Sequence, residues 1–240
     1  MNQLPDCEPL ADRLGVAFHD LNYLRQALTH RSFLNEHKEV KRDHNERIEF
    51  LGDAVLELAI TDYLFRRYPD RTEGDLTAYR AALVNTQTLA EAATDLGVND
   101  FLLLSRGEAK DVGRARQVIL ANTFESIIGA IYLDQGFEVA HHFIERHLAY
   151  RIDAVVAERR WQDAKSFFQE KAQAALEITP AYEVMSEEGP DHNKTFTVGL
   201  YLGTKLVATG TGHSKQEAEQ AAARAALAGQ GWLTKAPDDK

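Results

Sequence analysis

The chain has 240 residues, 44% of them hydrophobic and 27% charged, which suits a globular protein of one large domain or two modest ones, each with its own core. Its formal net charge is −10, from 27 basic against 37 acidic residues, and this weighs against a nucleic-acid ligand unless Lys and Arg are gathered locally. No apolar run approaches the roughly 18 residues needed to span a membrane, Met1 to Pro9 lacks the pattern of a signal peptide, and Cys7, the single cysteine, excludes an intramolecular disulfide and fits a reducing cytoplasm.

From Leu10 to Leu28 apolar residues recur at helical spacing, and the segment closes on Thr29-His30-Arg31-Ser32. A histidine there is either a metal ligand or general base, or a hydrogen-bonding residue at a helix end; the second reading is the commoner. Glu36 to His44 is a charged connection. A longer helix then runs from about Asn45 to about Tyr68, where Pro69-Asp70 stops it. At about 100° per residue, Glu46, Glu49 and Asp53 fall within roughly 60° of one another, and Ile48, Leu51, Val55 and Leu58 take the opposite side. Three like charges one turn apart repel, and only Arg47 in the stretch offsets them. Gly52 costs about 1 kcal/mol against alanine in a helix interior, which implies that another backbone passes close by. A solvated acidic face is the plain alternative. The repulsion, the glycine and the apolar flank together favour a divalent-metal site, because a hard cation such as Mg²⁺ takes oxygen ligands and carboxylates one turn apart supply them.

The stretch Asn45-Glu46-Arg47-Ile48-Glu49-Phe50-Leu51-Gly52-Asp53-Ala54 resembles the signature of bacterial ribonuclease III, an endonuclease that cuts double-stranded RNA. Thr29 to Ser32 resembles the same family. Further on, Arg71 to Asp75 reads as a turn before a helix carrying Leu76, Tyr79, Leu83 and Val84. Glu73 and Asp75 suit that helix start as macrodipole partners; the resemblance also places Glu73 in the catalytic cleft. Thr88 to Leu96 is another amphipathic helix, closed by Gly97. Phe101 to Glu108 resembles the family's loop before its last acidic helix, and Lys110 to Gln117 is a basic segment that either follows a phosphate backbone or is a solvated loop. Ile119 to Leu133 is apolar almost all round, so it is expected to be central and buried. Asn122 and Glu125 interrupt it on one face. A buried unpaired Glu costs several kcal/mol, so Glu125 needs a cation or a donor. Many relatives have Asp where this chain has Asn122; an amide oxygen still ligates Mg²⁺ but brings no charge. A further helix is expected from Phe137 to about Glu158.

Residues 159–163 read as a linker, after which the pattern changes. Ala164 to Leu176 is helical, Tyr182–Ser186, Thr195–Leu202 and Lys205–Thr209 are short strands, and Ser214-Lys215-Gln216-Glu217 is a capping box opening an alanine-rich helix. This α-β-β-β-α order resembles a double-stranded RNA-binding domain. The expected fold is therefore multidomain: an all-α endonuclease domain at 8–158, a small α+β domain at 164–230, and a tail at 231–240 that reads as disordered.

The resemblance implies a Mg²⁺-dependent endoribonuclease, with Mn²⁺ possible, that works as a cytoplasmic homodimer on rRNA precursors and other structured transcripts. It implies Glu49, Asp53, Asn122 and Glu125 as metal ligands and Asp53, Glu125, Glu46 and Glu73 as catalytic residues. RNA contacts would come from Ser166, Gln169, Glu170 and Gln173 on one helix, His192 in a strand-linking loop, and Ser214 and Lys215 at a helix N-terminus. Phe50 lies about 65° from the middle of the acidic face, at the border of the apolar stripe. It belongs either to the rim of the core or to a pocket on a partner, and the resemblance favours the dimer interface. The alternative function is a non-catalytic RNA-binding protein in which Asn122 marks a decayed metal site.

Overall fold

A computed structural model describes residues 6–157, 161, 163–190 and 194–232. They fall into two units, Met1–Trp161 and Gln162–Lys240. In the first unit the helices are α1 (Glu8–Leu14), α2 (Leu21–Ala27), α3 (Arg31–Glu36), α4 (Glu46–Arg67), α5 (Glu73–Leu83), α6 (Thr86–Asp95), α7 (Arg114–Gln135), α8 (Phe137–His147) and α9 (Ile152–Ala157). Two expected helices prove to be broken. Gly15, at φ 67°, ends α1, and Asp20 caps α2 by accepting the Asn22 N–H, so Leu10 to Leu28 is two helices with a turn between them. The helix expected from Phe137 to about Glu158 breaks at Leu148, where a 3₁₀ turn over Ala149–Arg151 re-aims the chain; Glu158 lies outside the described residues. Lys110 to Gln117 is also not all loop, because α7 begins at Arg114.

The apolar helix α7 sits at the centre, as its composition requires. Phe124, Ile127, Ile128, Ala130 and Ile131 are fully buried, and α2, α4, α6 and α8 pack around them. The α4–α7 contact is the tightest. A Cβ on Gly52 would stand 1.8 Å from the Glu125 carbonyl oxygen, and one on Gly129 would stand 2.3 Å from the Ile48 carbonyl oxygen. The expected close backbone at Gly52 is thus α7 itself. Ile48 and Val55 are buried against it, together with Leu56, Ala59, Ile60 and Leu64. Leu58 departs from the expected apolar stripe: it is 58% exposed. The stripe rotates along a 22-residue helix, and by its fourth turn the side carrying Leu58 has left the core.

In the second unit, α10 (Ala164–Leu176) precedes the strands β1 (Ala181–Glu188), β2 (Thr195–Leu202) and β3 (Lys205–Gly212), and α11 (Lys215–Gly229) follows them. The strands form an antiparallel sheet in the order β1-β2-β3, with Val198 opposite both Val184 and Gly210. Phe168, Ala172, Leu200, Ala222, Ala226 and Leu227 form the core between the helices and the sheet. The alanines of α11 let it lie close: a Cβ on Gly210 would be 2.1 Å from the Ala222 nitrogen. Trp232, assigned from sequence to a disordered tail, packs on Phe168 with ring centroids 5.3 Å apart. Trp161, assigned to the linker, packs edge-on against Tyr79 of the first unit at 4.9 Å.

Gly52→Ala tests the α4–α7 contact. The added methyl has no space, so the helices must separate, at a cost of about 3 kcal/mol. A clearly lower melting temperature for the helical unit is expected; an unchanged one would show that the helices meet elsewhere.

Candidate active site

The close α4–α7 packing sets one carboxylate-bearing face of each helix against the other. From α4 come Glu49, half-buried, and Asp53, exposed; from α7 come Asn122 and Glu125, both partly buried. Glu125 is the most perturbed of these. Its carboxyl is pushed up to about 7, first by burial and then by the negative charges of Asp53, Glu49 and Glu57. Glu49 is also raised, by burial and by Glu46, while a hydrogen bond donated by the Asn122 amide lowers it. Asn122 is therefore positioned at the acidic face as the sequence implies.

No basic side chain and no hydrogen-bond donor pairs with the Glu125 carboxylate among the described residues. Nor, among the described residues, do three or more His, Cys, Asp or Glu side chains group closely enough to hold a metal ion. The carboxylates share a face without closing into a ligand cage. The donor set nonetheless fits a hard divalent cation, because every available donor is oxygen and the negative charge on Glu125 is not offset.

Glu57 was missed from the sequence. It extends the row Glu49, Asp53, Glu57 at successive i+4 steps, so continuing the stripe by one turn would have found it. Arg80 of α5 holds it at 2.9 Å and donates to Thr61 Oγ1 at 2.9 Å. Glu46 is exposed and paired with Arg31 at 3.2 Å. Glu73 opens α5, accepts from Thr77 Oγ1 at 3.1 Å, and lines a 410 Å³ cavity with Phe65, Leu76 and Arg80. It is not among the charges that raise Glu125. His30 behaves as a capping residue: its ring accepts the Ser32 N–H and lies 2.8 Å from Ser32 Oγ, and burial lowers its pKa. Phe50 is 80% exposed, which removes the core-rim reading.

In the second unit Ser166, Gln169, Glu170 and Gln173 share the exposed face of α10. Ser166 and Gln169 meet Lys215 around one open cavity of 540 Å³. Ser214 caps α11 by accepting the Glu217 N–H. His192 lies outside the described residues.

Comparison with known proteins agrees with these two units. Residues 20–152 match the family described as Ribonuclease-III-like, and residues 164–229 match the double-stranded RNA binding motif. The chain is 47% identical to ribonuclease 3 of Desulforamulus reducens over 218 residues, covering 91% of this chain and 89% of that protein. It is 43% identical to ribonuclease 3 of Enterococcus faecalis, covering 91% and 94%. A solved nuclease domain of ribonuclease III from Campylobacter jejuni, 43% identical, superposes with a TM-score of 0.53 over 59% of this chain and 98% of that one.

The raised Glu125 carboxyl has a consequence for stability. The folded chain binds a proton there up to about pH 7, whereas an unfolded Glu loses it near pH 4.3. Stability therefore falls as pH rises through that window and stays low above it. Holding the charge at pH 8 costs about 2 kcal/mol, less than the full shift implies because one side of the group is wetted. In chelator, Glu125→Gln is expected to raise the melting temperature of the helical unit at pH 8 and to leave it unchanged at pH 4. No gain at pH 8 would mean that the charge is already offset.

Proposed function

Because the chain belongs to the ribonuclease III family, whose members are generally metal-dependent, we propose that its acidic face is the hydrolytic centre of an Mg²⁺-dependent enzyme, Mn²⁺ being a possible substitute. The chain is an endoribonuclease of double-stranded RNA. Glu49, Asp53, Asn122 and Glu125 would hold the cation, and Glu46 and Glu73 would contribute charge toward the substrate. When bound, the cation supplies Lewis acidity to the phosphodiester and lowers the pKa of the attacking water. Water adds to phosphorus and the 3′-oxygen leaves with a proton, giving 5′-phosphate and 3′-hydroxyl ends. The observation that carries this reading is Glu125, ionisable yet half-buried, with the charges of Asp53, Glu49 and Glu57 bearing on it.

The protein side of the mechanism is positioning. The Gly52–Gly129 contact fixes the distance between the two acidic faces. The Asn122 amide lies beside Glu49 and favours its charged form. Arg80 fixes Glu57, leaving Glu125, Asp53 and Glu49 as the negative charges to be offset by a ligand. In the second unit Ser166, Gln169, Glu170 and Gln173 reach toward 2′-hydroxyls in the minor groove, and Ser214 and Lys215 meet phosphate. His192 is assigned with them from the sequence. Processing of rRNA precursors and other structured transcripts in the cytoplasm suits this substrate class. No helix among the described residues is long and apolar enough to cross a membrane.

A homodimer completes the proposal. Phe50, Leu58 and Phe65 are 80%, 58% and 70% exposed and lie within about 80° of one another along α4 as an exposed apolar strip. The Campylobacter jejuni nuclease domain is described as having a region involved in dimer formation. Two copies related by a two-fold axis would bury the strip twice.

Two experiments test this. Glu125→Ala is expected to abolish cleavage of a long RNA duplex on a gel with saturating Mg²⁺ while duplex binding is nearly retained. Near wild-type cutting by the variant would remove Glu125 from the site. Phe50→Ala is expected to weaken dimerisation by about 2–4 kcal/mol, the range of an interface anchor; an undiminished dimer in sedimentation at micromolar concentration would refute the contact.

A further inference from the structure

The lysines on the RNA-binding face of the second unit are already engaged. Lys215 Nζ stands 3.4 Å from Glu187 Oε1, with its ammonium 5.7 Å from the centre of the Phe196 ring. Lys194 Nζ stands 3.5 Å from the other oxygen of the same carboxylate, Oε2. A single residue of β1 therefore bridges two lysines, one of which is the first residue of α11. Lys165 is held in the same way by Glu219. Acidic residues outnumber Lys and Arg between positions 163 and 232, so this unit has no general positive field with which to attract a polyanion.

The arrangement at Glu187 copies a bound phosphate. Two anionic oxygens each face an ammonium group, one of them on the side chain of the residue that opens a 15-residue helix. We propose that Glu187 is an internal counter-anion: it stands where an RNA phosphate would sit between Lys194 and Lys215, and so holds down the affinity for duplex RNA. This rests on the RNA-binding reading of the second unit.

The physical basis is ion exchange. A lysine that neutralises a phosphate releases the cations condensed on the RNA there, and this release drives binding and makes it salt-sensitive. A lysine that keeps its own protein's carboxylate beside it neutralises the phosphate less and so releases fewer of them. RNA must first displace Glu187 and then tolerate a negative charge beside the phosphate. The domain thus holds RNA loosely, which favours release of cut duplexes from an enzyme that must turn over. The ion pair contributes little to folding, because both partners are exposed to solvent, so removing the carboxylate leaves the fold in place.

The test uses the full chain with a short RNA duplex in chelator, so that binding is read without cleavage. Affinity is measured across a series of salt concentrations for wild type, Glu187→Gln, Lys215→Ala and the double variant. Glu187→Gln is expected to bind about three- to tenfold more tightly near 0.1 M salt, with the slope of log K against log salt steeper by up to about one. Most of that gain should vanish in the Lys215→Ala background. Its melting temperature should match wild type, which separates the charge effect from a structural one. Unchanged or weaker binding by Glu187→Gln, or a gain that persists without Lys215, would overturn the proposal. The RNA-binding reading fails separately: wild type would then show no salt-dependent duplex affinity at all, and Lys215→Ala would change nothing.

Discussion

α4 and α7 meet backbone to backbone, and the rest of the helical unit follows from that contact. Side chains normally keep helix axes 8–10 Å apart. Glycine at positions 52 and 129 removes the two side chains that would stand between carbonyl and amide groups of the neighbouring helix. The closeness has a chemical result. Glu49 and Asp53 on one helix are brought beside Asn122 and Glu125 on the other, near enough that Asn122 donates to Glu49 and that Asp53 and Glu49 raise Glu125. A bulkier pair of residues would give a comparable core with no opposed acidic faces. The glycine that weakens the helix locally is therefore part of the site.

That geometry places stability and activity in opposition. Glu125 and the three acidic groups that act on it repel one another, and among the described residues Glu57 alone of the four has a basic partner, Arg80. Asn122 relieves part of this conflict. As an amide it adds no charge and lowers the pKa of Glu49, where an aspartate would add repulsion. Under the proposed function, the same change takes a unit of negative charge out of the set of groups that would hold Mg²⁺.

Much of this was legible in the residues because local chemistry and tertiary structure agree. The mid-helix Gly52 announced a close backbone, the all-apolar α7 announced a central helix, and the capping box at Ser214 announced the start of α11. Legibility failed where the deciding partner is distant in sequence. Leu58 reads as core on a helical wheel, but the wheel does not say where the neighbouring helices stop. Trp232 reads as tail because its partner, Phe168, lies on the first helix of that unit. Arg80 and Glu57 are unremarkable until α5 folds back on α4. The breaks at Gly15 and Leu148 differ from each other: the first had a glycine to mark it, whereas Leu148 is held by burial and nothing at that position signals a turn.

The acidic composition, which argued against nucleic acid, has a physical resolution in the second unit. Salt screens the field of the chain's bulk charge beyond the Debye length of about 8 Å under physiological conditions. Inside that distance, the arrangement of a few groups decides. Ser166 and Gln169 of α10 and Lys215 of α11 converge on one cavity, offering hydroxyl, amide and ammonium groups that suit a sugar–phosphate backbone without requiring excess positive charge. Recognition of this kind relies on the shape of a double helix, with its regular spacing of grooves and phosphates, more than on attraction of any polyanion. The net charge of −10 is a property of the whole chain and does not decide what these few groups meet.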